Sequence, residues 1–103
     1  MKTALTGCLL AAAAGMLLAG DAGAGKAVYD KSCKSCHGVD GKGNPAIAKA
    51  LKVDLRALGS AEVQAKNDAD LKKDSMQGTG KMKPTKLTDS EGSNVVSYLR
   101  SLK

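Results

Sequence analysis

The chain has no tryptophan and no phenylalanine, and its only aromatic residues are Tyr29 and Tyr98. It has one histidine, two prolines and three cysteines in 103 residues. Each shortage excludes something. Without large aromatics, a small domain has little from which to build a side-chain core, and such domains are marginal without a staple, metal or cofactor. Something other than side chains is therefore expected to fill the middle of the fold. A single histidine rules out any site that needs two imidazoles. Strict apolar–polar alternation is missing, so no segment reads as a strand. There is also no aromatic surface on which nucleic-acid bases could stack.

What is present begins with a leader. Lys2 is followed by Ala4 to Ala19, a run built only from Ala, Leu, Gly, Met, Thr and Cys. A positive charge, an apolar stretch and then small residues is the layout of a secretory signal peptide. The run is short against the ~20 residues a membrane-spanning helix needs. Ala22-Gly23-Ala24 fits the small-x-small cleavage pattern, which predicts a leader over 1–24 and a mature domain over 25–103. Cleavage after Ala19 is an alternative, as is an uncleaved N-terminus that anchors the protein to the membrane. Leu5-Thr6-Gly7-Cys8 has a faint likeness to a lipid-attachment box, but it precedes the apolar run instead of following it. The protein is thus expected to be exported and periplasmic. Losing the leader removes Lys2 and Asp21, one residue of each sign, so the net charge stays at +6. That charge bears on solubility and partners, not on fold.

Cys8 leaves with the leader, so the mature chain keeps Cys33 and Cys36. A lone Cys-x-x-Cys suits a redox disulfide or half of a zinc site. Zinc is disfavoured because no second pair of ligands exists. His37 follows the second cysteine directly, and Cys-x-x-Cys-His is the attachment signature of c-type haem. Two thiols three positions apart, about one helical turn, can each reach a haem vinyl group, and the adjacent imidazole then faces the iron. Cys33 and Cys36 are therefore candidate covalent attachment points, and His37 is a candidate axial ligand.

The surroundings read as all-α. Residues 25 to 36 carry no proline, and Gly25 and Tyr29 lie on one helical face. Gly38 to Gly43 must be loop. Asn44-Pro45 is an N-cap followed by proline at the first helical position, opening a short helix through Leu51. Ser60 and Asp68 are expected to cap two further helices, the second ending at Gly78. Thr88-Asp89-Ser90-Glu91 is a capping box. Val95, Tyr98, Leu99 and Leu102 then form one apolar stripe, with Arg100 and Lys103 suited to the negative end of the helix dipole. Gly92 is discordant, costing about 1 kcal/mol relative to alanine inside a helix.

For the sixth iron position the mature chain offers Met76 and Met82. Met76 lies in the expected helix before Gly78, where a methionine is ordinarily packing. Met82 lies in Gly78-Thr79-Gly80-Lys81-Met82-Lys83-Pro84, a loop that can hold a thioether still, and it is the preferred candidate. Met76 and an open position are the alternatives.

Residues 25–103 resemble the small class I bacterial cytochromes c, which are monohaem and His/Met-ligated. The matching motifs are Gly25-x-x-x-Tyr29, Cys33-Lys-Ser-Cys36-His37-Gly38, Asp40-Gly41-Lys42-Gly43-Asn44-Pro45, Gly80-Lys81-Met82, and Leu87-Thr88 leading to Val96-Ser97-Tyr98-Leu99. The resemblance implies short helices wrapped around one covalent haem c. It implies that the first and last helices cross near Gly25, Tyr29 and Tyr98, and that Met82 is the distal ligand. It also implies that the Pro45 carbonyl accepts the His37 N–H. Two features depart from the pattern. Lys83 separates Met82 from Pro84, and Gly92 and Ser75 stand where apolar residues are usual, which points to loose packing.

The function expected from this ligation is one-electron transfer within a periplasmic respiratory or redox chain. With both axial positions filled, iron has no place for substrate, and no acid–base pair or nucleophile constellation is visible, so the protein is expected to be a carrier and not an enzyme. The alternatives are a haem ligand sensor or small peroxidase with a labile sixth ligand, and a haem-free thiol oxidoreductase. Lys34, Lys81, Lys83 and Lys86 are candidates for a basic rim that docks an acidic redox protein or a membrane oxidoreductase. The protein is expected to act as a monomer and not to bind nucleic acid.

Overall fold

A computed structural model describes residues 20–103; most of the expected leader, Cys8 included, lies outside the described residues. Six helices follow one another: α1 (Ala22–Ser32), α2 (Lys34–His37), α3 (Pro45–Leu51), α4 (Ala61–Gln64), α5 (Asp68–Gln77) and α6 (Asp89–Arg100). The fold is all-α, and the described residues hold no strand beyond an isolated antiparallel bridge between Thr79 and Met82. None of these helices is long and apolar enough to cross a membrane.

The helix starts follow from side chains that take up the amides a first turn leaves unbonded. Asn44 caps α3 by accepting from Ala46 N at 3.0 Å, with Pro45 at the first helical position. Ser60 caps α4. Thr88 and Glu91 form the reciprocal capping box of α6, at 2.9 and 3.1 Å. Two starts differ from the sequence expectation. The cap of α5 is Asn67, whose Oδ1 accepts from Asp70 N at 2.8 Å; Asp68, expected to be the cap, is the first helical residue. There its charge favours the positive end of the dipole and binds Arg100 through Oδ1 at 2.8 and 3.0 Å. Helix α1 begins at Ala22, ahead of Gly25, because Asp21 caps it.

The core forms where α1 meets α6, the principal interhelical contact. Tyr29, Val95 and Leu99 are buried there, with Val28, Tyr98 and Leu102 packed around them. The Tyr29 and Tyr98 rings lie 5.1 Å apart, tilted by 50°, within the favoured range for aromatic pairs. The helices cross at Gly25, where a Cβ would overlap the Asn94 carbonyl and lie 3.0 Å from Tyr98 Cβ. Of the expected stripe, Val95 and Leu99 are buried while Tyr98 and Leu102 are half-buried against them, and Val96 is buried as well.

The two residues expected to loosen the packing do not. A Cβ on Gly92 would stand 2.6 Å from Met76 Sδ and 3.1 Å from Met76 Cγ. Overpacking of that kind costs about 1–3 kcal/mol, more than the ~1 kcal/mol that glycine costs a helix. Glycine is therefore the better residue where α5 lies on α6. Ser75 donates from Oγ to Leu71 O at 2.7 Å, and its own carbonyl accepts from Thr85 Oγ1 at 2.8 Å. It thereby joins α5 to the segment after Met82. Arg100 does more than suit the dipole of α6. It donates to Gln64 O, Lys66 O and Asp68 Oδ1 at 2.6–3.0 Å, so the last helix is tied to the α4–α5 connection.

Candidate haem-binding site

Cys33 is both the C-cap of α1 and the N-cap of α2. Its amide donates to Tyr29 O at 2.9 Å, and its carbonyl accepts from His37 N at 3.0 Å. The Cys33–His37 segment is thus a single helical turn hung from the end of α1. A helix leaves its last carbonyls without intrahelical partners, and in α2 every one of them is taken. Ser35 O accepts from Asn44 Nδ2 at 3.1 Å, Cys36 O from Asn44 N at 2.9 Å, and His37 O from Gly43 N at 2.8 Å. Gly38 O accepts from the Tyr29 hydroxyl at 2.6 Å. Asn44 therefore clamps the Cys-x-x-Cys-His turn while it caps α3. Sequence reasoning found only the cap, and Tyr29's bond to Gly38 was not anticipated. The Gly43-Asn44-Pro45 string was the available signal for the clamp.

Beside this turn lies a cavity of about 140 Å³ whose wall includes Cys33, His37, Leu58, Leu71, Met82 and Leu99. His37 and Met82 reach it from distant parts of the chain. Cys33 is half-buried at its edge, and Cys36 is exposed. Met76 is not on its wall; its sulfur lies against Gly92 on α6. The Met82 segment is held from three sides. Thr79 and Met82 exchange backbone bonds of 2.9 and 3.2 Å, Thr85 N donates to Met76 O at 3.0 Å, and Lys81 Nζ donates to Leu51 O at 2.8 Å. These bonds hold the loop with Lys83 standing between Met82 and Pro84.

The electrostatics follow from burial. Desolvation, with a smaller contribution from Cys36, pushes the Cys33 thiol up to about 11. A redox dithiol needs its nucleophilic thiol shifted the other way, so burial does not activate Cys33 as such a nucleophile. Burial lowers the His37 pKa and so favours the neutral imidazole, the form that binds a metal. Tyr29 is pushed up to about 12, chiefly by burial and then by Cys33, and its phenol remains a hydrogen-bond donor to Gly38.

The residues present fit a haem. His37 Nδ1 is buried without a hydrogen-bond partner. The acceptor expected for it, the Pro45 carbonyl, does not meet it, because Pro45 opens α3 and a helical carbonyl is directed along the axis. Among the described residues no group of three or more His, Cys, Asp and Glu could hold a bare ion. A porphyrin supplies four of the iron's ligands itself and asks only two of the protein. The four lysines named as a rim, Lys34, Lys81, Lys83 and Lys86, are all exposed, and Lys81 is in addition the tether to Leu51.

A helical shell around an apolar cavity, with a Cys-x-x-Cys-His turn on its wall, is the layout of a c-type haem protein. The comparisons with known proteins agree. The family model described as cytochrome c matches residues 22–103. Cytochrome c-554(547) of Halothiobacillus neapolitanus is 34% identical over 91 residues, covering 82% of this chain and 100% of that protein. Cytochrome c-555 of Chlorobaculum tepidum is 35% identical over 105 residues, covering 96% of this chain and 92% of the relative. The solved KustC0563 c-type cytochrome superposes with a TM-score of 0.66 at 34% identity, over 77% of this chain and 96% of that one. The chain belongs to the cytochrome c family. It carries covalently bound haem c and is a haem c electron carrier.

Proposed function

We propose that this chain is a single-electron carrier of a periplasmic respiratory or redox chain. In it Cys33 and Cys36 hold the haem through thioether bonds, and His37 and Met82 are the axial ligands. One observation carries the reading: His37 and Met82, far apart in sequence, line the same apolar cavity beside Cys33. The bound haem supplies a one-electron ferric/ferrous couple, whose potential Met/His ligation raises. The chain's own residues do the rest. Neutral His37 is oriented by the clamp that Asn44 and Tyr29 place on its turn. Leu58, Leu71 and Leu99 keep water from the cavity. The tethers from Lys81 and Thr85 hold the Met82 loop in place. With His37 and Met82 both ligating, the iron would have no open position for substrate, so no residue takes a catalytic role in this reading. A spectrum of the ferric protein tests this: low-spin bands with the weak red sulfur-to-iron transition are expected, whereas high-spin bands would indicate an open site suited to ligand sensing or peroxidase chemistry.

The partner in this reading is an acidic redox protein or a membrane oxidoreductase, met by a basic rim of Lys34, Lys81, Lys83 and Lys86. Exposure of Lys34, Lys83 and Lys86 supports it. Steering by such a rim raises association rates by about 10 to 10³-fold and weakens with salt, because the Debye length is only about 8 Å at physiological ionic strength. Charge reversal at Lys81 would also break its bond to Leu51, so Lys34→Glu with Lys83→Glu is the cleaner variant. Stopped-flow electron transfer to an acidic partner should slow with rising ionic strength in the wild type, and should be slower and flatter in the variant. A rate indifferent to both salt and charge reversal would leave these lysines as ordinary surface.

A further inference from the structure

Residues 20–24, assigned by the small-x-small pattern to the leader, are built into the folded domain. The Asp21 carboxylate accepts from the amides of Gly23 and Ala24 at 2.9 and 3.3 Å, and its carbonyl accepts from Gly25 N at 2.8 Å. Its own amide donates to Asn94 Oδ1 on α6 at 2.9 Å, a contact across 73 residues of sequence. Gly20 lies so close to α6 that a Cβ there would overlap the Ser93 carbonyl and stand 2.7 Å from Ser97 Oγ. The family match likewise begins inside this segment, at residue 22. A segment destined for removal has no reason to be complementary to the last helix at a cap, a hydrogen bond and a glycine contact together.

Hydrolysis after Ala24 would remove the cap and the first turn of α1. The amides of the new first turn would lose their acceptors, and a charged amine at Gly25 would stand at the positive end of the helix dipole. Hydrolysis after Ala19 leaves the cap whole and sets the new amine outside the helix, one residue before Asp21. Ala22, Gly23 and Ala24 are helical, and they imitate a cleavage signal because alanine and glycine suit both uses.

We propose that the exported chain is processed between Ala19 and Gly20, so that the mature protein begins Gly20-Asp21-Ala22. The endopeptidase of the export machinery hydrolyses this amide. Water adds across the bond, Ala19 becomes the carboxyl end of the released leader and Gly20 gains a free amine. The inference rests on the export reading, and the experiment separates the two. The full chain is expressed in a bacterium with periplasmic haem-attachment machinery, and the haem-loaded protein is weighed intact by mass spectrometry. The mass of residues 20–103 plus one haem is the expected result. The mass of 25–103 plus haem keeps the export reading and overturns the inference. The whole chain, unprocessed, overturns both. In a second arm the leader is joined directly to Gly25, and the resulting holoprotein should melt about 5 °C or more below the natural one, as loss of a cap implies. Equal melting temperatures would show that residues 20–24 contribute nothing to the domain and would remove the structural ground on which the inference rests.

Discussion

Cys33→Ala combined with Cys36→Ala is expected to abolish stable folding. Only five apolar side chains among the described residues are buried: Tyr29, Leu71, Val95, Val96 and Leu99. The two longest helices have 11 and 12 residues, at or below the ~12–15 at which an isolated helix is marginal in water. They persist because they pack, and Leu58, Leu71 and Leu99 pack around a cavity that the haem is to fill. Without the thioether bonds the haem is no longer covalently retained, and those side chains face water or collapse. The segment from α3 to α5 suffers most, since its helices are short and much of its surface is exposed. Far-ultraviolet circular dichroism of the double variant should show loss of most helical signal and no cooperative melt. A fully helical, cooperative transition in the haem-free chain would show instead that the α1–α6 core is sufficient alone.

Met82→Ala and Met76→Ala should part cleanly. Loss of the Met82 thioether is expected to give a high-spin or water-ligated ferric haem, without the red sulfur-to-iron transition, that binds azide and cyanide readily. The Thr79–Met82 backbone bonds do not depend on the side chain, so the loop itself should survive. Met76 is half-buried between α5 and α6 with its sulfur against Gly92. Its truncation leaves a gap that costs about 2 kcal/mol, the lower end for a buried methionine, with the spectrum unchanged. Thermal melts and absorption spectra of both variants check this. A Met76→Ala protein without the sulfur transition, beside a Met82→Ala protein that retains it, would exchange the two roles.

The contrast between these methionines shows how much of the site was legible beforehand. In the sequence Met76 falls within a helix, which marks it as packing, and glycine and proline flank Met82, which marks it as a ligand candidate. That preference was drawn from local residues alone. What those residues did not reveal is the partner of each. Gly92 looked like a flaw in α6 until Met76 proved to occupy the space its side chain would need. Lys81 looked like one more surface lysine, yet its ammonium closes the Met82 loop onto the end of α3. The cap of α5 slipped by one residue because Asn67 and Asp68 are both good caps, and only the pairing of Asp68 with Arg100 on another helix distinguishes them.

By itself the sequence determined what depends on near neighbours. The Cys33-x-x-Cys36-His37 spacing, the capping box at Thr88, the Asn44-Pro45 start and the apolar stripe of α6 are local, because one helical turn brings their atoms together whatever the rest of the chain does. Tertiary structure decided what depends on distance through space. It set which face of α1 meets α6, why Gly25 and Gly92 must lack side chains, how Asn44 and Tyr29 take up the last carbonyls of the haem turn, and how Asp21 caps α1 while bonding Asn94 of α6. Each of these turns on a partner many residues away, and in so small a core each close approach leaves room for only one arrangement.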